Sequence, residues 1–188
     1  MFKYVEITND NIELASKIQL KIFPGESAYI HYKDAIKSNL EYYKYYLVYA
    51  NDTIVGITGL YSHENINDTN SIWLGWFGVL KEFRNKGYGR HILLDTINMA
   101  TILAEKYPIR YFRLYTSEKD NITAVHLYRK IMDIEEKYNN PDDVNYDNNC
   151  IIFSKALSEN PITYWNNRFM NLKEIIAQQE LSNIEVFK

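Results

Sequence analysis

The stretch Arg84-Asn85-Lys86-Gly87-Tyr88-Gly89-Arg90 constrains this chain most, because of what lies on either side of it. An apolar, aromatic run precedes it, Ile72-Trp73-Leu74-Gly75-Trp76-Phe77-Gly78-Val79-Leu80, and reads as a buried strand. A helical pattern follows from His91 to about Lys106, with Leu93, Ile97, Ala100 and Ala104 on one face and His91, Asp95, Asn98 and Glu105 on the other. A basic loop with glycines between a strand and a helix is an anion site in outline. Glycine lets the backbone approach a ligand, and the first N–H groups of a helix have no partner within it. Arg84, Lys86 and Arg90 gather positive charge in a chain whose formal net charge is -3. A loop of this kind suits a phosphate.

The better-known glycine loops do not fit it. A Walker-type loop needs Gly-Lys followed by Ser or Thr, and the chain has none. A dinucleotide fingerprint and a protein-kinase loop both need a third glycine where Ile92 stands. What remains is Arg-x-x-Gly-x-Gly between strand and helix, about thirty residues before Asn121-x-x-Ala124-x-x-Leu127-Tyr128.

The rest of the chain sets limits on that loop's ligand. With 188 residues, 46% of them hydrophobic, the chain suits one domain with an appendage and a substantial core. An excess of acidic over basic residues argues against a general nucleic-acid binder. Cys150 is the single cysteine, so neither an internal disulfide nor a cysteine-based metal cluster can form. His31, His63, His91 and His126 lack metal-ligand spacing. The first residues alternate apolar and polar rather than forming a signal peptide, and no apolar run approaches the roughly 18 residues of a membrane span. The expectation is a soluble cytoplasmic protein.

Along the chain, Phe2 to Thr8 reads as a strand. Asp10 with Glu13 suggests a capping box for a helix whose buried face carries Ala15, Ile18 and Ile22. Residues 23–27 break it, and a second helix runs from about Ala28 to Leu40. Tyr45 to Ala50 and Thr53 to Tyr61 form a hairpin closed by Asn51-Asp52. Gly75 and Gly78 interrupt the next strand, as at a bulge, at a close ligand approach, or to relieve crowding beside Trp73 and Trp76. Arg110 to Thr116 is a strand, Asn121 to Ile131 a short helix, and Ile134 to Tyr138 and Cys150 to Ala156 the last strands. Trp165, Phe169, Leu172 and Ile176 then recur at helical spacing.

The two glycine- and asparagine-bearing segments resemble the GNAT superfamily of acetyl-coenzyme A-dependent N-acetyltransferases. Val79, Glu82, Arg84, Gly87 and Gly89, with Leu93 and Leu94, match the family's central acyl-CoA motif, and Asn121, Ala124, Leu127 and Tyr128 match its second. The strong resemblance covers residues 73–130. It implies an α+β, three-layer fold, a mixed and largely antiparallel twisted sheet flanked by helices, with a C-terminal helix added. The acetyltransferase domain would span residues 1–156, and 157–188 would form a helical extension that either caps the domain or pairs with a second copy as a homodimer. Two departures stand out. The family's second helix commonly ends Tyr-x-Lys-x-Gly-Phe, whereas here Tyr128-Arg129-Lys130 runs on into Ile131-Met132-Asp133. Many relatives also carry an acidic base on the fourth strand, and residues 73–79 contain none.

The chemistry implied by the resemblance is transfer of an acetyl group from acetyl-CoA to a primary amine of a small molecule or peptide, without a metal. Donor-binding residues would be Phe77, Gly78, Val79, Arg84, Asn85, Lys86, Gly87, Tyr88, Gly89, Arg90, Asn121 and Tyr128. The diphosphate would lie on amides from Asn85 to Arg90, and the pantetheine arm would pair with Phe77 and Val79. Trp73, Trp76 and Phe77 would make the site partly apolar. Tyr128 would act as general acid toward the leaving thiolate, whose ordinary pKa is near 8.5. Candidates for the base are Glu26, placed first because its loop lines the acceptor cleft in the family, then Glu118, His63 and Glu64. Asn121 would bind near the pantetheine, cap its helix, or both. The partners would thus be acetyl-CoA and an amine, with no nucleic acid or membrane; a domain that binds acyl-CoA without turnover is the alternative.

Overall fold

A computed structural model describes residues 2–62, 70–119, 121–137 and 150–165. Their elements run β1(Phe2–Glu6), α1(Ile12–Ile22), α2(Tyr29–Ser38), β2(Lys44–Ala50), β3(Thr53–Tyr61), β4(Ser71–Leu74), β5(Gly78–Val79), α3(Tyr88–Ala104), β6(Tyr111–Ser117), α4(Ile122–Tyr128), β7(Ile134–Lys137) and β8(Cys150–Ala156). The strands form one sheet in the order β1-β2-β3-β4-β6-β8-β7, with β5 paired to β3. Every pairing is antiparallel except that of β4 with β6.

Helices cover both faces. Ile12, Ala15, Ile18 and Ile22 of α1 and Tyr32 and Ala35 of α2 pack on Tyr45, Leu47 and Ile57 of the sheet. On the opposite face Leu93, Ile97 and Ala100 of α3 and Val125 of α4 meet Leu60, Ile72, Phe112 and Leu114. Each large aliphatic side chain so buried contributes about 1.5–3 kcal/mol before conformational entropy is charged against it. A buried hydroxyl pair, Thr58 Oγ1 and Thr96 Oγ1 at 2.8 Å, joins β3 to α3, and Thr96 also donates to the Ile92 carbonyl. Such hydroxyls are tolerated in a core because each has a partner.

The helix and strand types expected from periodicity hold, and several local readings change. The hairpin closes through Asn51 and Asp52, both left-handed at φ 48° and 64°, as a type I′ turn requires. No Asp10–Glu13 capping box forms: Asn11 is the N-cap of α1, and its side chain instead binds the Thr8 amide and the Glu6 carbonyl. Helix α3 begins three residues before the expected His91, and Asp95 on its outer face accepts a 2.6 Å hydrogen bond from Tyr4 that ties down β1. The missing glycine after α4 is absorbed without a left-handed residue, by Met132 N–H donating to the Tyr128 carbonyl and Asp133 N–H to that of Ser154.

Of the expected terminal helix, residues 157–165 are described and are not helical; the remainder lies outside the described residues. Trp165 is buried edge-on against Trp73, ring centroids 5.1 Å apart, and stacks under the Arg113 guanidinium. Arg113 is itself buried, donating to the hydroxyls of Ser71 and Ser154. Trp73, expected to line the site, therefore lies fully buried at this junction.

Candidate active site

The site forms where neighbouring strands part. β4 runs beside β6 from Ser71–Tyr111 to Trp73–Arg113, after which the chain of β4 continues into β5 along β3 while β6 follows β8. Between β4 and β5 the register on β3 advances by one residue, from Leu60–Leu74 to Ile57–Gly78. One extra residue on one strand is a β-bulge. Trp76 carries it, with φ 46°, a conformation that costs a bulky residue about 1–2 kcal/mol. The bulge thus lies between Gly75 and Gly78, the two glycines for which it was one of the readings, and on neither of them.

Gly75 and Gly78 serve packing rather than conformation. A Cβ on Gly75 would strike Tyr45 and Tyr61, and one on Gly78 would strike Ile22 and Phe23 of α1 and its loop.

The bulge fixes which way the next main-chain groups point. Leu80 N–H donates to the Val55 carbonyl at 2.9 Å, and hydrogen-bonding alternates along an antiparallel ladder. Gly78 therefore faces β3, and the main-chain groups of Phe77 and Val79 face the opening toward β6. Arg84 Nε donates to the Val79 carbonyl at 3.0 Å, which anchors the guanidinium at the end of β5.

The basic loop follows immediately. A single 3-10 turn, Lys81–Phe83, leads into Asn85 at φ 61° and Gly87 at φ 78°, both left-handed. Gly87 is the N-cap of α3, and no side chain caps the helix. The first intrahelical bond runs from His91 N–H to the Gly87 carbonyl at 3.1 Å. The amides of Tyr88, Gly89 and Arg90 precede it and meet no protein acceptor among the described residues. A Cβ on Gly87 would find nothing within 4 Å, so open space lies beside the N-cap. Lys86 Nζ rests 5.3 Å from the Phe83 ring centroid, and Phe83 stacks on Tyr88. Three partnerless amides and the positive end of the α3 dipole thus form an anion site in outline, on a segment that also carries Arg84, Lys86 and Arg90.

Tyr128 stands at the last turn of α4, buried between Phe77 and Phe153, with ring centroids 6.3 and 5.5 Å away. Burial pushes its phenol well above the ordinary value, so it carries its proton throughout the neutral range. Its hydroxyl has no hydrogen-bond partner among the described residues. Asn121 is the N-cap residue of α4, yet its side chain makes no capping hydrogen bond, so the capping account is not realised.

The other candidates divide. Glu26 lies exposed in the loop after α1, its carbonyl accepting from Gln19 Nε2 and its N–H donating to the Phe23 carbonyl. Phe23 in the same loop touches Trp76 edge-on at 5.7 Å, which brings the loop beside the bulge. Glu118 is engaged in an ion pair with Arg129 at 2.8 Å, and Arg129 also binds Glu135. His63 and Glu64 lie outside the described residues. One residue, read in the sequence only as lacking metal-ligand spacing, takes a place at the bulge: His31 on α2, whose Nδ1 accepts the Trp76 indole N–H at 2.9 Å. No local pattern could reveal a partner so distant in sequence. No three or more His, Cys, Asp or Glu are grouped to hold a metal ion among the described residues, and no helix there is long and apolar enough to cross a membrane.

A strand that breaks at a bulge, splays from its parallel neighbour and delivers a basic glycine turn to a helix N-terminus defines the acyl-CoA N-acyltransferase class of fold. Solved structures share it. The ribosomal-protein-S18-alanine N-acetyltransferase from Escherichia coli superposes with a TM-score of 0.61 at 14% identity, covering 88% of this chain and 99% of its own. Naa50 of Arabidopsis thaliana, in complex with the bisubstrate analogue CoA-Ac-MVNAL, gives 0.57 at 22% identity over 82% and 97%. A GNAT family acetyltransferase from Elizabethkingia anophelis with acetyl-CoA bound gives 0.54 at 19% over 83% and 98%. Identities this low speak to the fold alone. The model of the acetyltransferase (GNAT) family matches residues 10–133, about two thirds of the chain. The chain therefore belongs to the GNAT family and is an N-acetyltransferase of that family. No curated protein matches its sequence significantly.

Proposed function

We propose that the protein transfers the acetyl group of acetyl-CoA to a primary amine of a small molecule or of a peptide. The observation that carries this reading is the set of partnerless amides at Tyr88, Gly89 and Arg90, close in sequence to the cleft-facing main chain of Phe77 and the N–H of Val79. One group suits the donor's diphosphate and the other its pantetheine amides, and the two lie in the order in which coenzyme A presents them. Arg84, Lys86 and Arg90 add charge-assisted contacts, and Asn85 and Gly87 supply the left-handed turns that let the loop wrap.

The reaction follows from where charge must go. An amine attacks only when neutral, so Glu26 takes its proton, directly or through water. A main-chain N–H beside the bulge, that of Phe77 or Val79, polarises the thioester carbonyl as negative charge builds on its oxygen. Tyr128, protonated and apolar-walled, donates to the departing thiolate. Asn121 holds the pantetheine near the start of α4. Relatives of the same fold support a peptide amino terminus as one acceptor class, since one is named for a ribosomal-protein alanine and another binds a peptide-like bisubstrate analogue. A spermidine N-acetyltransferase chimera of the same fold supports a small polyamine as the other.

Free-thiol release from acetyl-CoA, measured with a panel of small amines, polyamines and short peptides, tests the proposal. Turnover with at least one amine is expected, together with thermal stabilisation by the donor of about 2.7 kcal/mol at a hundred times its Kd. Stabilisation without thiol release from any amine would instead indicate a binding module. Gly87→Glu should abolish donor binding, because it places a carboxylate at the amides in a left-handed conformation.

A further inference from the structure

We infer that His31 is a positioning residue for acetyl transfer: by accepting the Trp76 indole N–H at Nδ1, it holds the bulge that presents the Phe77 main chain to the cleft. This rests on the proposed function for its catalytic consequence, although not for the bond itself. Trp76 is a bulky residue at φ 46°, and such a conformation persists only where its surroundings dictate it. Two contacts do so here. Phe23 meets the indole edge-on at 5.7 Å from the loop after α1, and His31 meets it at 5.6 Å from α2 while receiving its N–H at 2.9 Å. Release of the indole would let Trp76 relax toward ordinary strand geometry and remove the extra residue from the ladder. A strand relaxed by one residue would turn the Phe77 groups from the cleft toward β3.

The chemistry of the pair sets its protonation. An indole N–H only donates, so Nδ1 must be bare, and a neutral imidazole then carries its proton on Nε2. His31 in this tautomer cannot also be the base. Burial pushes its pKa below the ordinary 6.5, and Asp34 one turn along α2 pulls part of the way back. From the sheet it faces the uncharged indole of Trp76; Tyr45 of β2 and Tyr43 just before that strand, which feel the same Asp34, are held in their protonated form. The bond therefore survives at neutral pH and is lost when acid charges Nδ1, at a midpoint below 6.5.

The indole 1H–15N resonance of Trp76, assigned by its loss in Trp76→Phe, reads the bond directly. In the wild-type protein it should lie downfield and move upfield with a midpoint below pH 6.5. His31→Asn places an amide oxygen where Nδ1 was, and should keep the downfield shift while removing the titration. His31→Leu should lose the shift at every pH. At pH 7.5 the kcat of His31→Leu should fall about tenfold, a modest share of what a misdirected oxyanion donor costs, with acetyl-CoA affinity changed less than threefold. His31→Asn should restore kcat to within about twofold, and Trp76→Phe should match His31→Leu with no further loss in the double variant. An indole resonance insensitive to His31→Leu, or a lost bond with unchanged kcat, would overturn the inference. Were no amine to turn over in the wild-type protein, the proposed function would fall and the positioning role with it, while the indole titration would still decide whether His31 holds Trp76.

Discussion

The rings of Phe77 and Tyr128 lie 6.3 Å apart, centroid to centroid, with their planes tilted by 50°. One comes from the bulged strand and the other from the end of α4, so their contact spans the gap that opens between β5 and β6. It places the phenol beside the main-chain groups proposed to hold the thioester, within the walls that desolvate it.

Tyr128→Phe should leave the ring packing intact and remove the proton donor. Turnover is expected to drop about 10²- to 10⁴-fold, with acetyl-CoA affinity unchanged within threefold. Calorimetric titration and steady-state thiol release separate these effects; an unchanged kcat would remove Tyr128 from the chemistry.

Glu26→Gln should lower kcat/KM for the amine by about 10²-fold at neutral pH while the donor binds normally. Glu118→Gln should change it little, because its carboxylate is already engaged by Arg129. A pH–rate series on both variants checks the contrast, and equal losses in the two would reassign the base.

Gly89→Ala should raise stability by about 0.5–1 kcal/mol. The residue lies in the first turn of α3, its φ is ordinary, and a Cβ would meet only Leu127 and Val79 at 3.8 and 3.9 Å. Denaturant unfolding measures this; a loss of stability would show that the turn is strained at this point.

Arg129→Met should destabilise the protein at pH 7, and the penalty should fade in acid. The Arg129 guanidinium holds the Glu135 carboxyl below its ordinary value of 4.5. A depressed carboxyl contributes stability that is present above the unfolded pKa and lost as pH falls through the folded one. Melting temperatures of the two proteins, compared from pH 7 to pH 3, should therefore converge below about 4.5. A gap that persists at pH 3 would mean that Arg129 acts through packing.

The phosphate loop was legible because its signals are local. Glycines at Gly87 and Gly89, three cations and the switch from an apolar run to a helical period need no tertiary information. The helix start was misplaced at His91 because Tyr88 and Gly89 are poor helix formers that the capping turn enforces. The bulge could not be located from sequence, since a tryptophan at φ 46° contradicts its own preference and is held by His31 and Phe23 from other elements. Gly75 and Gly78 read correctly as special positions, although their reason, contact with Tyr45 and Tyr61 and with Ile22 and Phe23, is tertiary. Trp73 looked like a site residue because a strand buried on both faces gives no alternation to separate them.

The crystal structure of the protein with acetyl-CoA bound probes the anchoring of the donor most directly. Diphosphate oxygens should stand about 2.7–3.2 Å from the nitrogens of Tyr88, Gly89 and Arg90, with the pantetheine alongside Phe77 and Val79. A diphosphate seated elsewhere, with those nitrogens still facing water, would contradict the account.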